Sequence, residues 1–173
     1  MDTIALAIEA AEQGRGTARP PHVPPRRQGR PGGQAGPLPP LRILVVEDEG
    51  LLALEAETFL ERGGHTVVGI ADTRTAALIR AGAAQPDLAL VDLRLLDGNS
   101  GLDLAADLGA LGVPVLFVTG NCPEKGGQGL ALGCLHKPFD EGQLLAAVAV
   151  MGRLLQGEAV DPSTLPSNLH LYA

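Results

Sequence analysis

Five short apolar runs, at residues 42–46, 66–70, 88–92, 115–118 and 134–136, are separated by longer stretches with helical spacing. The runs are continuous and aliphatic rather than alternating, as strands covered on both faces are. Leu51, Leu52, Leu54, Phe59 and Leu60 supply the apolar positions of the first helix, and Gly63-Gly64 stops it. Thr73 opens the second, and Pro86 lies beyond its end. Ser100-Gly101-Leu102-Asp103 has the form of a capping box for the third. Asp140-Glu141-Gly142-Gln143 has a less typical one for the last, which runs to about Gln156. Strand and helix in regular alternation imply right-handed crossovers and one parallel sheet with helices on both faces.

The 173 residues suffice for one ordinary domain with extra segments. Apolar residues make up 45% but aromatics only 2%, so the core is built from Leu, Val, Ile and Ala. Few aromatics argue against stacking platforms for single-stranded nucleic acid. A net charge of −7, with arginines gathered near the N-terminus, is a poor match for a phosphate backbone. No nucleic-acid partner is expected. No apolar stretch approaches a membrane span, and Asp2 stands where a signal peptide carries basic residues, so the expectation is a cytoplasmic protein without a membrane partner. Cys122 and Cys134 make neither a disulfide framework nor a zinc site and are expected as reduced thiols, a redox role for the pair being the lesser reading.

Residues 14–40 hold 8 prolines and 6 glycines and cannot bury enough apolar surface to offset ordering entropy. Residues 1–40 are therefore expected as a disordered extension, with room for a short helix from Ile4 to Glu12. Arg15, Arg19, Arg26, Arg27 and Arg30 in it read as a solvated run rather than a docking element. Residues 41–156 form the domain. Residues 157–173, broken by Pro162 and Pro166, are expected as a short tail with no room for a DNA-binding or catalytic module.

The ends of the apolar runs carry the chemistry. Leu41-Arg-Ile-Leu-Val-Val-Glu47-Asp48 stops on two carboxylates and Asp87-Leu-Ala-Leu-Val-Asp92 on one. Val115-Leu-Phe-Val-Thr119 ends in a hydroxyl, and Cys134-Leu-His-Lys137-Pro138-Phe139 in an ammonium. Ligands of open α/β sheets sit outside the carboxyl ends of the strands. Three carboxylates repel one another until a hard dication with oxygen ligands joins them. Phosphoryl transfer needs positioning and neutralisation of the equatorial oxygens, which a metal and a lysine supply. A carboxylate can be the nucleophile.

With these elements in this order, residues 41–156 resemble a response-regulator receiver domain, the phosphoacceptor module of bacterial two-component signalling. The resemblance implies a flavodoxin-like (βα)5 doubly wound sheet with strand order 2-1-3-4-5 and bound Mg²⁺. It also implies phosphorylation by a histidine kinase or histidine phosphotransfer protein. Carried over by position, Asp92 is the phosphoacceptor. Asp48 binds the metal directly, Glu47 more often through water, and the main-chain carbonyl of Arg94 completes the protein's share. Thr119 bonds a phosphoryl oxygen and Lys137 pairs with the same group. Gly120 leaves room for the incoming group, and the bond before Pro138 is usually cis in the family. His65, His136, Asp97 and Asp103 read as packing, turn and capping residues.

Three departures stand out. The position three before the lysine, often aromatic in the family, is Cys134, so an aromatic rotamer switch is unavailable there. The loop after Asp92 lacks the Met-Pro pair often found there. Five glycines lie between Thr119 and Lys137, and each weakens a helix by about 1 kcal/mol relative to alanine. The fourth helix is therefore expected short or frayed. The reading is a stand-alone response regulator, not an enzyme, that signals to a downstream protein or relays phosphate. The alternatives are a receiver that does not cycle phosphate and acts by constitutive contacts, and an aspartate-based phosphohydrolase. The latter is disfavoured because Arg94 stands where a second acid is needed.

Overall fold

The computed structural model describes residues 38–123, 127 and 129–172. The expected N-terminal extension, with its arginines and its helix at Ile4–Glu12, lies outside the described residues apart from its last three positions. The alternation beyond it is realised as β1 (Arg42–Val46), α1 (Gly50–Arg62), β2 (Thr66–Ala71), α2 (Arg74–Ala84), β3 (Leu88–Val91) and α3 (Gly101–Ala110). Then come β4 (Val115–Thr119), β5 (Gly133–His136), α4 (Glu141–Leu155), a 3-10 turn at Pro162–Thr164 and β6 (Leu169–Leu171). The sheet runs β2-β1-β3-β4-β5-β6, with the first five strands parallel and β6 antiparallel to β5.

Side-chain alternation sorts the core into two layers. Ile43, Val45, Leu90, Leu116, Val118 and Leu135 pack on one face against Ala53, Ala56 and Leu60 of α1 and Leu144, Val148 and Met151 of α4. Leu44, Val46, Ala89, Val91, Val115 and Phe117 pack on the other against Ala77 and Ala81 of α2 and Leu104, Ala105 and Leu108 of α3. α2 and α3 share a face because both connect strands in the same direction along the sheet, β2 to β3 and β3 to β4, whereas α1 connects β1 to β2 in the opposite direction and so lies on the other face.

Most predicted helix ends hold. The Thr73 side chain accepts from the Ala76 amide, and Asp140 and Gln143 exchange both bonds of a capping box. Gly64, at φ 84°, turns the chain after α1. The capping box at Ser100–Asp103 does not form: the Ser100 hydroxyl donates instead to the Asp97 carboxylate at 2.5 Å.

Three features depart from expectation on one side of the sheet. Among the described residues between β4 and β5 there is no helix. The region predicted as a tail supplies β6, whose ladder is extended by His136 N–H to Asn168 O and Tyr172 N–H to Leu132 O. Gly133 permits that approach, since a Cβ there would meet the His170 carbonyl and lie 3.3 Å from Leu171 Cα. Finally, Cys122 and Cys134 are joined in a disulfide, with Cα atoms 6.0 Å apart, and are not the reduced thiols expected. Residues 120–122, directly after β4, bring Cys122 beside β5 and the two sulfurs together.

Candidate functional site

The sheet ladder continues one residue past three strand ends and so fixes the backbone of each functional position. Glu47 N–H donates to Ala71 O at 2.9 Å, Asp92 N–H to Val46 O at 2.9 Å, and Lys137 N–H to Thr119 O at 3.0 Å. Glu47, Asp48, Asp92, Thr119 and Lys137 therefore share one edge of the sheet, at the carboxyl ends of β1, β3, β4 and β5. The Lys137–Pro138 peptide is cis.

Carboxylate oxygens of Glu47, Asp48 and Asp92 all lie within 4.8 Å of one another. Glu47 and Asp92 are only 7% and 8% exposed, so their charges are held largely out of water, and Thr119 beside them is 3% exposed. Lys137 reaches into this group. Its Nζ donates to Glu47 Oε2 at 2.5 Å and to Asp92 Oδ2 at 2.7 Å. The sequence places Lys137 at the site but does not reveal that it bridges two carboxylates. Burial works against its ammonium, but the hydrogen bonds to Asp92 and Glu47 and their charges prevail and raise its pKa above the usual value. The Glu47 carboxyl is also pushed up, first by burial and then by the Asp92 charge, against the opposing effect of Lys137. Three carboxylates thus face one lysine, and oxygen donors in this arrangement suit a hard divalent cation.

Two main-chain amides complete the cradle and were not signalled by side-chain identity. Arg94 N–H donates to Asp92 Oδ1 at 3.2 Å, and Glu49 N–H to Glu47 Oε1 at 3.3 Å. Gly101 is a further missed residue. It opens α3 with its Cα pressed on the backbone of Asp92 and Leu93, and its amide donates to Leu93 O at 3.1 Å. A Gly following Ser100 at the start of a helix was the available signal. Beside Thr119, a Cβ added at Gly120 would meet nothing within 4 Å, leaving open space next to the hydroxyl. Asp97 accepts from the Arg74 amide and the Ser100 hydroxyl, as a turn residue does. His65 Nδ1 accepts from the Leu41 amide, and burial lowers its pKa.

The family model of the response regulator receiver domain matches residues 43–149. The chain belongs to that family. The receiver is 39% identical over 112 residues to the phyllosphere-induced regulator PhyR of Methylorubrum extorquens, covering 62% of this chain and 42% of that one. It is also 39% identical over 124 residues to the two-component response regulator PhoP of Pseudomonas aeruginosa, covering 68% and 54%. The receiver thus spans about half the length of these curated relatives. Among solved structures, PhyR from Brucella abortus superposes with a TM-score of 0.56 at 31% identity, covering 68% of this chain and 49% of that one. The signal receiver domain of a modulated diguanylate cyclase from Desulfovibrio desulfuricans G20 gives 0.62 at 28% identity, covering 70% and 100%. Among the described residues, no helix of the receiver is long and apolar enough to cross a membrane.

Proposed function

We propose that this receiver is a phosphoacceptor, modified on Asp92 by a histidine kinase or histidine phosphotransfer protein in the cytoplasm, and that it signals through contacts with a downstream protein. The observation that carries the reading is the Lys137 ammonium held between Glu47 and Asp92, a cation already placed where a phosphoryl group would need one. Asp48, Asp92 and the Arg94 main-chain carbonyl would hold Mg²⁺, with Glu47 acting through a bound water. Bound there, Mg²⁺ would neutralise charge on the phosphoryl oxygens.

The chain's own groups account for the rest. Lys137 and the Arg94 amide fix the two oxygens of the Asp92 carboxylate, one each. An Asp92 oxygen attacks phosphorus, the P–N bond to the donor histidine breaks, and the electron pair leaves on the imidazole nitrogen. Lys137 then pairs with the transferred group, and the Thr119 hydroxyl donates to one of its oxygens across the space left by Gly120. Burial of Glu47 and Asp92 strengthens each of these interactions relative to water.

Acetyl phosphate with Mg²⁺, read by intact mass, tests the assignment. Wild type should gain one phosphoryl group and Asp92→Asn none. Stoichiometric labelling of Asp92→Asn would refute it. Absence of labelling in the wild type would favour a receiver that acts by constitutive contacts.

A further inference from the structure

The disulfide begins three residues beyond Thr119, in the connection between β4 and β5, where the described residues form no helix. Cys134 is fully buried in β5, its Cα paired with that of Phe117 in β4, whereas Cys122 is half-buried in the segment after β4. A Cα separation of 6.0 Å is ordinary for a disulfide. The bond therefore fastens the first residues after Thr119 covalently to the middle of β5. Only one other side-chain tie reaches this stretch among the described residues, the Tyr172 hydroxyl donating to Pro123 O at 3.1 Å. Thr119, at the start of this stretch, is buried and its carbonyl accepts from the Lys137 amide at 3.0 Å.

We propose that Cys122 and Cys134 form a redox-responsive tie that sets how freely residues 119–123 rearrange around a phosphoryl group on Asp92. The proposal rests on the phosphoacceptor reading above. Joined, the sulfurs hold Cys122 over β5 and oppose the inward movement of Thr119; as thiols they release it. Attack falls on the half-buried Cys122 Sγ. A thiolate of a small dithiol bonds to that sulfur, the Cys122–Cys134 bond breaks, and its electron pair leaves on Cys134 Sγ, which takes up a proton. The second thiol of the reductant then displaces Cys122, which is protonated in turn, and the reductant departs as its own disulfide, two electrons having passed to the protein. Closure uses a peroxide. The Cys122 thiolate attacks the O–O bond, giving a sulfenic acid and releasing hydroxide that becomes water. The Cys134 thiol then displaces the sulfenic oxygen as a second water. In a reducing compartment such a pair stays open and closes on oxidative challenge.

Linkage makes the coupling reciprocal, because a group that binds better to the open form also favours opening by the same factor. The full chain is prepared reduced with dithiothreitol or oxidised with hydrogen peroxide, its state fixed by alkylation and intact mass. Beryllofluoride affinity is then measured calorimetrically with Mg²⁺. Reduction should tighten binding about five-fold or more. Beryllofluoride should lower the dithiothreitol concentration at half-reduction correspondingly. Cys122→Ser should bind like reduced wild type and ignore the reductant. Without beryllofluoride, reduction should speed amide exchange at residues 120–122. Equal affinity in both states overturns the coupling alone, and unchanged exchange at those amides overturns the tie. Full alkylation after peroxide shows that the pair does not close and overturns the proposal outright. Binding in neither state overturns the phosphoacceptor reading, and the coupling with it.

Discussion

Two helical glycines should respond to alanine with opposite signs. At Gly82, in the exposed interior of α2, an added Cβ meets nothing within 4 Å. Gly82→Ala should therefore gain the ordinary helix preference, about 0.5–1 kcal/mol. At Gly101 the same Cβ would lie 2.5 Å from Leu93 Cα and 2.9 Å from Leu93 O, with the Asp92 carbonyl equally close, where ordinary contact begins at 3.4 Å. These are backbone atoms held by the β1–β3 ladder, so the two elements must part by roughly 1 Å at a cost of about 1–3 kcal/mol. That exceeds any helix gain, which is smaller at the first helical residue than in the interior. Gly101→Ala should be destabilised by about 1–2 kcal/mol in urea unfolding. Because the displaced backbone belongs to Asp92, labelling by acetyl phosphate should slow by up to about 100-fold, the scale of a 1 Å misplacement. If Gly101→Ala matched Gly82→Ala in stability and labelled at the wild-type rate, the close seating of α3 on the end of β3 would not be what positions Asp92.

Asp48→Ala should weaken Mg²⁺ binding severely and Glu47→Gln only mildly, read by calorimetry; unchanged affinity in Asp48→Ala would make the acidic group a solvated turn. Glu47 also predicts a pH dependence in metal-free protein. Its folded pKa is raised above the ordinary 4.5, by burial first, so its stabilising contribution is complete below about pH 4.5 and is lost as pH rises through the folded value. The stability of wild type relative to Glu47→Gln should fall over that window in urea unfolding with a chelator present, and a flat difference would refute the buried-carboxylate account.

The strand ends were legible because a strand buried on both faces leaves an unbroken apolar run, and the residue that stops it must meet solvent or a ligand. All strands of a parallel sheet end on one side, so Glu47, Asp48, Asp92, Thr119 and Lys137 could be placed at one end of the sheet from the sequence, while the strand order and each residue's role came from the resemblance to receiver domains. The features that escaped depend on choices between near neighbours or on long-range pairing. Ser100 had two partners available, the α3 amides and the Asp97 carboxylate, and periodicity does not rank them. A three-residue strand such as β6 is too short to show alternation, and Pro162 and Pro166, which lie in its approach rather than in it, disguise it. The disulfide required knowing that the residues directly after Thr119 lie beside β5.

Apart from Ser100, these features lie on one side of the sheet, and they divide the molecule into two parts that can be altered separately. The acidic site is positioned by β1, β3 and the ladder that continues past their ends. The β4–β5 segment is fastened by different residues: the disulfide, the Tyr172 hydroxyl and the pairing of β6 with β5. The Tyr172 ring meets Phe117 edge-on at 6.5 Å, so the residue that follows β6 supplies an aromatic on the side of the sheet where Cys134 replaces the usual one. The glycines that argue against a helix serve this packing directly. A Cβ at Gly127 would strike the Tyr172 ring, and one at Gly133 would strike β6. Thr119 is the residue common to both halves, ending β4 within the site and beginning the fastened segment. Substitutions at Cys122 or Tyr172 should therefore change the conformational response to phosphorylation while leaving the Asp48–Asp92 oxygens in place, whereas Asp48→Ala or Asp92→Asn should remove metal binding or phosphorylation while leaving the Cys122–Cys134 and Tyr172–Pro123 ties in place.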